Sequence, residues 1–164
     1  MINLGSTEIS KAYLGSTAVD KIYLGSTQIW SNIVTAPGRM QLASNYVANG
    51  SWSKVVNMVA SSTYGSTTTI VENCLVVPGT GNYTLSGGAI FGGGLGTQIS
   101  RAVLQNGTVL SEDSGGSNPS VIPTVVVSLN GGDQIRLEAI GSVAANPYNL
   151  VSANVNTFIQ IVPV

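Results

Sequence analysis

The sequence predicts an all-β protein, an antiparallel β-sandwich preceded by a short segment of β-repeats. Short runs in which β-branched and aromatic residues alternate with polar ones are separated by Gly, Asn and Pro, as in strands joined by turns. No stretch combines a helical period with capping residues, so no helix is predicted.

The first 30 residues contain a ten-residue repeat. The tetrapeptide LGST begins at residues 4, 14 and 24, and each copy is followed by a variable residue and then by Ile or Val. Gly-Ser every ten residues would break a helix, so each decad predicts one short strand and one turn, giving about three strands. So few short strands bury too little apolar area to be stable alone, and the segment needs a surface to pair with or lie on.

The repeat pattern stops near Thr35-Ala36-Pro37-Gly38, which predicts a linker over residues 35–38. We therefore divide the chain into a docking or assembly segment over residues 1–34, this linker, and a sandwich domain over residues 39–164. The strands predicted in the sandwich are residues 54–59, 67–77, 82–91, 99–104, 109–111, 121–129, 134–140 and 155–162.

Two turns in the sandwich domain predict hairpins. Asn106-Gly107 lies between two predicted strands, and both residue types tolerate a positive φ. Asn130-Gly131-Gly132-Asp133 separates the next pair of strands and predicts a second hairpin with a four-residue turn. Eight short strands favour a jelly roll. An immunoglobulin-like sandwich is the alternative, disfavoured because the sequence lacks the Cys-Trp-Cys pattern of that fold.

The chain carries little charge. Only 8% of its residues are charged, against about 25% in a typical protein, and the net charge is −1. Because the six basic residues are scattered, we expect no nucleic-acid partner. No signal peptide and no apolar run long enough to span a bilayer is present, so we expect no membrane partner. A weakly charged surface favours self-association. The single cysteine, Cys74, is predicted to be a small buried hydrophobe.

The residues do not predict an enzyme. The sequence has no histidine, which excludes Ser-His-Asp and Cys-His arrangements and histidine metal sites. Glu112 and Asp113 are adjacent acids, but neighbours on a strand point to opposite faces, so we interpret them as part of a solvated loop. A calcium site built from Glu112, Asp113 or Asp133 is a weaker alternative without a spaced Asp/Asn loop. We predict no cofactor and no metal.

Two further patterns have alternative interpretations. The glycine cluster over residues 87–96 lacks the spacing of a nucleotide-binding loop, and it predicts a bulge, a corner or the close approach of another backbone. Aromatic residues could form a platform that stacks on a glycan, although single aromatics in β-proteins are more often core or interface residues. The candidates for glycan stacking are Tyr46, Trp52, Tyr64 and Tyr148.

The N-terminal decads resemble the LGST-x-[IV]-x-K-x-Y-LGST segments at the beginning of many phage virion proteins, including minor tail and head-fibre or decoration components. The resemblance implies that this segment docks the protein to a capsid or tail protein of the virion. The residues expected on the docking face occupy the repeated apolar and aromatic positions: Leu4, Ile9, Tyr13, Leu14, Val19, Tyr23, Leu24, Ile29 and Trp30.

The C-terminal part looks like the trimeric C1q/TNF-like jelly roll. Gly81-Asn82-Tyr83-Thr84-Leu85 matches the G-x-Y-x-[FL] strand of that family, and Asn106-Gly107 matches its later hairpin. Residues 129–133 resemble its L-x-x-G-D turn, and residues 157–161 its terminal aromatic-aliphatic strand. The resemblance implies three jelly rolls around an axis. Since the chain lacks a collagen-like stalk and has fewer aromatics, no receptor-binding residues are carried over.

The sequence thus predicts a non-enzymatic, homotrimeric structural protein of a phage particle. We expect a capsid decoration or head-fibre protein that is made in the host cytoplasm, anchored to the virion surface by its repeats, and adhesive. The short chain favours the head over the tail. The alternatives are a minor tail or tail-tip protein and a carbohydrate-binding adhesion module that recognises a host or mucosal glycan.

Overall fold

The computed structural model describes residues 3–4, 7–8, 12–14, 17–19, 21–24, 27–31, 35–48, 50–92, 98–115, 118–141, 150–151 and 156–164. The chain divides into two compact units, Met1–Val34 and Thr35–Val164. Among the described residues, none belongs to a helix that is long and apolar enough to cross a membrane.

The first unit is a series of hairpins. Its strands are β1 (Asn3–Leu4), β2 (Thr7–Glu8), β3 (Ala12–Leu14), β4 (Thr17–Val19), β5 (Lys21–Leu24) and β6 (Thr27–Ser31). They pair as β1 with β2, β3 with β4 and β5 with β6, all antiparallel. In every copy the Leu and the Thr of LGST are paired with each other, so only two residues separate the two paired strands along the chain.

The prediction of one strand per decad was therefore wrong. The Leu and the Thr of each LGST belong to two paired strands, so both flanks of the tetrapeptide are strands. Gly-Ser is a sequence typical of two-residue hairpin loops, and the prediction of one strand per decad overlooked this signal.

The second unit is a sandwich of two antiparallel sheets. Its strands are β7 (Gly38–Leu42), β8 (Tyr46–Val47), β9 (Ser53–Lys54), β10 (Met58–Ala60), β11 (Thr69–Val71), β12 (Cys74–Val76), β13 (Gly81–Ala89), β14 (Ile99–Leu104), β15 (Val109–Glu112), β16 (Ser120–Leu129), β17 (Gln134–Ile140), β18 (Leu150–Val151) and β19 (Phe158–Pro163). Sheet 1 has the order β10-β7-β19-β13-β16, and sheet 2 has the order β11-β12-β17-β14-β15, with β9 also pairing with β17. A short pair, β8 with β18, lies outside both sheets.

The connections make this sandwich a jelly roll, as predicted. After β12 in sheet 2 the chain crosses to β13 in sheet 1, returns to sheet 2 for the β14–β15 hairpin, and crosses again to β16, β17 and β19 in alternate sheets. Such alternation between two antiparallel sheets is the jelly-roll arrangement.

The core lies between the two sheets and consists of the inward-facing half of each strand. Tyr83 and Leu85, which the sequence places in the central strand, are fully buried there. The Tyr83 hydroxyl donates a hydrogen bond of 2.6 Å to the backbone oxygen of Gly79, so its polar end is satisfied. The largest fully buried side chains are Tyr83, Phe91, Met40, Leu75, Leu85, Ile122, Ile135, Leu137, Ile159, Ile161, Val55 and Val77.

One predicted hairpin is confirmed and the other is wrong. Asn106-Gly107 joins the paired strands β14 and β15, and Gly107 has a φ of 93°. The turn of residues 130–133, however, connects strands of different sheets, because β16 pairs with β13 whereas β17 pairs with β12 and β14. A tight turn predicts a reversal of the chain, but not whether the two strands remain in one sheet.

The run of residues 67–77 forms two strands instead of one. β11 and β12 pair around Glu72 and Asn73, which have φ values of 49° and 61°. Positive φ at both central residues is typical of a type I′ hairpin turn. Glutamate seldom adopts this conformation, so the sequence carries little sign of this turn.

Candidate functional site

The outer face of sheet 2 carries a row of charges. Lys54, Glu138, Arg101 and Glu112 lie directly opposite one another on β9, β17, β14 and β15. Their signs alternate from strand to strand, so each neighbouring pair attracts, and such cross-strand pairs contribute about 0.2–1 kcal/mol each. Each charged side chain of this row therefore has a neighbour of opposite sign on the same face.

Glu138 is the centre of this row. Its carboxylate accepts a hydrogen bond of 2.8 Å from Nε of Arg101 and one of 2.7 Å from Nε of Arg136, and its side chain is only 8% exposed. Burial alone raises the pKa of Glu138, but the hydrogen bonds and charges of Arg136 and Arg101 outweigh burial and hold the pKa below its ordinary value. Glu112, which is 42% exposed, lies 3.5 Å from Arg101 and contributes less.

Trp52 packs against this network. The guanidinium carbon of Arg101 lies 4.1 Å from the centroid of the Trp52 ring, a cation–π contact. Trp52 is half-buried, and Arg101 covers one face of its ring. A sugar could stack on that face only by displacing the guanidinium.

Three of the four aromatic residues predicted to stack on a glycan lie among the described residues. Tyr46 packs against the core and donates a hydrogen bond of 2.8 Å to Ser53. Tyr64 lies near Arg39 of sheet 1, whereas Trp52 lies against sheet 2. Tyr148 is outside the described residues.

The outer face of sheet 1 is very different from that of sheet 2. Arg39 is the only charged residue in the five strands of sheet 1. Two valines of β16, Val121 and Val126, are 59% and 64% exposed on this face, and Phe158 and Val162 of β19 are partly exposed beside them. Apart from Arg39 this face carries no charged strand residue, and exposed apolar side chains on such a face are candidates for an interaction surface.

Arg39 is held flat on this face. Its guanidinium lies 3.7 Å from the Phe158 ring centroid and donates a hydrogen bond of 3.0 Å to Gln160. Burial lowers the pKa of Arg39, while the nearby Tyr64 raises it. Arginine stays protonated across the ordinary pH range, so Arg39 keeps its charge. The charged guanidinium makes a cation–π contact with the Phe158 ring.

A groove of about 370 Å³ opens on this face between β13, β16 and the start of β19. Val121 and Phe158 form part of its wall, and Gly87 and Gly88 line it as well. A Cβ on Gly88 would lie 2.5 Å from the backbone oxygen of Ser120, so β13 and β16 approach closely only because residue 88 is glycine. The predicted close approach of another backbone is confirmed at Gly87 and Gly88. The β13–β16 register shifts between Leu85 and Gly87, but the extra residue lies on β16, between Ile122 and Val125, so the glycines themselves do not form the bulge.

The acidic residues are engaged in structural hydrogen bonds. Asp113 is buried, not solvated as predicted, and its carboxylate accepts hydrogen bonds of 2.6 Å from Ser120 and 2.9 Å from the backbone of Gly115. Asp133 accepts one of 2.8 Å from the backbone of Asn130. Among the described residues, no group of three or more His, Cys, Asp or Glu could hold a metal ion. Cys74 is buried, as predicted.

The residues predicted to dock to the virion occupy the repeat hairpins. Those on described strands are Leu4, Tyr13, Leu14, Val19, Tyr23, Leu24, Ile29 and Trp30. Ile9 is outside the described residues. The structure assigns these residues to three separate two-stranded sheets, and Ile22 and Trp30 are paired next to a bulge in the third.

Comparison with solved structures identifies the fold of the sandwich. Murine APRIL matches with a TM-score of 0.53 and 14% identity, over 80% of this chain and 100% of that one. Eiger TNF from S. frugiperda matches with a TM-score of 0.51 and 11% identity, over 79% of this chain and 92% of that one. The sandwich is a TNF-like jelly roll. Neither a protein-family model nor a curated protein matches the sequence.

The weakly charged outer face of sheet 1 in this TNF-like jelly roll was not predicted from the sequence. Low charge was evident, but its segregation by sheet depends on which strands are neighbours. The signal available in the sequence was the partial alternation in β16, where exposed Val121 and Val126 lie next to buried or partly buried residues and the alternation is interrupted at Pro123 and Thr124. Strand order was needed to join Val121 with Phe158 across Gly88.

Proposed function

We propose that this protein is a homotrimeric structural component of a phage particle. It is a capsid decoration or head-fibre protein, anchored to the virion surface by its N-terminal repeats, with its sandwich displayed outward for adhesion. The observation that carries the proposal is the weakly charged outer face of sheet 1 with its exposed valines, in contrast to the charge-paired face of sheet 2.

The contrast between the two faces supports self-association through sheet 1. Large apolar surface patches on soluble proteins mark interaction sites, because burying them removes apolar area from water. Val121, Val126 and Phe158 supply that area on one face, whereas sheet 2 presents charges that are already paired. The likeness of residues 81–85 and of the fold to trimeric C1q/TNF-like jelly rolls favours three copies around an axis.

The repeats supply the attachment to the particle. Their strands form two-stranded hairpins, which are marginally stable in water without a further partner. Their resemblance to segments at the beginning of phage virion proteins makes a capsid or tail protein the docking partner. Leu4, Leu14 and Leu24 recur at the same register position of each hairpin, so docking uses the same contact several times.

A pair of matched substitutions tests the trimer. Val126→Lys places a charge on the outer face of sheet 1, and Val109→Lys places the same charge at an exposed position on β15 of sheet 2. By light scattering, we expect the native chain and the Val109→Lys variant to be trimers and the Val126→Lys variant to be a folded monomer. A native chain that is monomeric, or a Val126→Lys variant that stays trimeric, would contradict assembly through sheet 1.

Location and adhesion need separate measurements. Gold-labelled antibodies on intact particles distinguish a head component from a minor tail or tail-tip protein. A glycan array of the native chain and of a Trp52→Ala variant tests adhesion to a host or mucosal glycan, with binding lost in the variant if Trp52 carries it. If the native chain bound no glycan on the array, the result would favour a purely structural role.

A further inference from the structure

The repeat hairpins have strand edges that lack partners within the described chain. Among the described strands of the first unit, β1 pairs only with β2, β3 only with β4, and β5 only with β6. Within the described residues, each of these strands therefore has one edge whose backbone N–H and C=O groups face no partner strand. Such edges are sites where another strand adds.

The spacing of the hairpins restricts what can pair with them. The Leu–Thr register pairs, Leu4 with Thr7, Leu14 with Thr17 and Leu24 with Thr27, recur every ten residues. A partner that satisfies all three hairpins in the same way must present strand edges with that same period. A second copy of this chain has the same ten-residue period because it has the same sequence. An unrelated protein would need a separate matching strand edge for each hairpin.

The proposed trimer would also bring the three repeat segments together. Residues 35–37 lead directly into β7, which belongs to sheet 1, the sheet whose outer face we assign to the trimer. Three copies joined through their sandwiches would keep three repeat segments tethered to one assembly. A short tether raises the effective concentration of linked segments to about the millimolar range, far above that of free chains.

On these grounds we propose that the repeats of sibling chains pair with one another edge to edge, each hairpin with the equivalent hairpin of another copy, to form one β-bundle that docks to the particle as a unit. This inference rests on the proposed trimer. The strand partner of the repeats is then a second copy of this chain. The side chains of the bundle, and not its strand edges, contact the virion.

Excimer fluorescence in the full-length protein tests the pairing. Thr17→Cys, in the second hairpin, is labelled with pyrene, and the matched control is Val109→Cys on β15 of sheet 2. Cys74 is buried, and burial raises the pKa of its thiol, so the native chain treated in the same way should remain unlabelled. We expect an excimer band from Thr17→Cys and none from Val109→Cys, with both variants trimeric by light scattering.

The outcomes separate this inference from the proposed function. A trimer without an excimer band at residue 17 overturns the pairing of repeats and leaves the trimer in place, whereas a monomeric native chain overturns both. Amide hydrogen exchange is measured on the native chain, so its result does not depend on whether a substituted variant assembles. Slowed exchange over residues 3–31 in the trimer is expected, and exchange at the rate of an unfolded chain would overturn the inference.

Discussion

Arg101 and Glu138 lie directly opposite each other on β14 and β17. Two guanidinium nitrogens of Arg101, Nε and Nη2, both lie 2.8 Å from the same carboxylate oxygen of Glu138, Oε2. The pair belongs to a row of alternating charges that covers the outer face of sheet 2. Because this face pairs its own charges, it gains little from a partner. The weakly charged face of sheet 1 is where assembly would bury apolar area.

Removing the charge of Glu138 should destabilise the sandwich. Glu138→Gln keeps the size of the side chain but weakens hydrogen bonds from two arginines, each of which is worth about 1.5–3 kcal/mol when one group is charged. Because both arginines are partly exposed, we expect a loss of about 1–3 kcal/mol in the free energy of unfolding. Urea denaturation measures this. Glu112→Gln, at an exposed and longer ion pair, is the control and should change stability by less than about 0.5 kcal/mol.

The same residue predicts a dependence of stability on pH. The folded-state pKa of Glu138 lies below the ordinary value of 4.5, so its contribution is fully present above that pH and is lost as the pH falls through the folded-state pKa. The difference in unfolding free energy between the native chain and Glu138→Gln should therefore shrink on acidification below 4.5. A difference that stays constant down to acid pH would show that the ion pairs do not cause the effect.

Gly88 should not tolerate a side chain. Gly88→Ala would place a Cβ 2.5 Å from the backbone oxygen of Ser120 and force β13 away from β16. Overpacking of this kind costs about 1–3 kcal/mol, which thermal unfolding would measure. Thr124→Ala, on exposed β16 beside the same groove, is the control with an expected effect within about 0.5 kcal/mol. Equal effects in the two variants would argue against the close approach.

Deleting residues 1–30 should separate folding from attachment. The core residues of the sandwich, from Met40 to Ile161, all lie beyond the deletion, so the truncated protein should fold and assemble. We expect it to be absent from purified particles made by a phage that carries the deletion, as measured by immunoblotting. Normal incorporation of the truncated protein would show that another part of the chain docks.

Local signals in the sequence predicted much of the sandwich. The bounds of β14 and β17 match the predicted strands, because both runs begin with alternation between less buried and buried positions and end at turn residues. Asn106-Gly107 predicted its hairpin because these residue types accept the backbone conformation of such a turn.

Features that depend on distant parts of the chain were not predictable in the same way. The turn at residues 130–133 looks like a hairpin, yet its strands join β13 and β14, which lie 30 or more residues earlier. The stacking of Arg39 on Phe158 and of Arg101 on Trp52 likewise requires strand order. A sequence pattern reports the face on which a residue lies, but not the strand that will lie beside it.

The central claim, assembly through sheet 1, is tested most directly by the solution mass of residues 38–164 without the repeats. This segment contains the whole core, the weakly charged face of sheet 1 and the charge-paired face of sheet 2. By light scattering, we expect the mass of three chains. A stable, folded monomer would contradict assembly through the sandwich and would make the repeats the element that joins the copies.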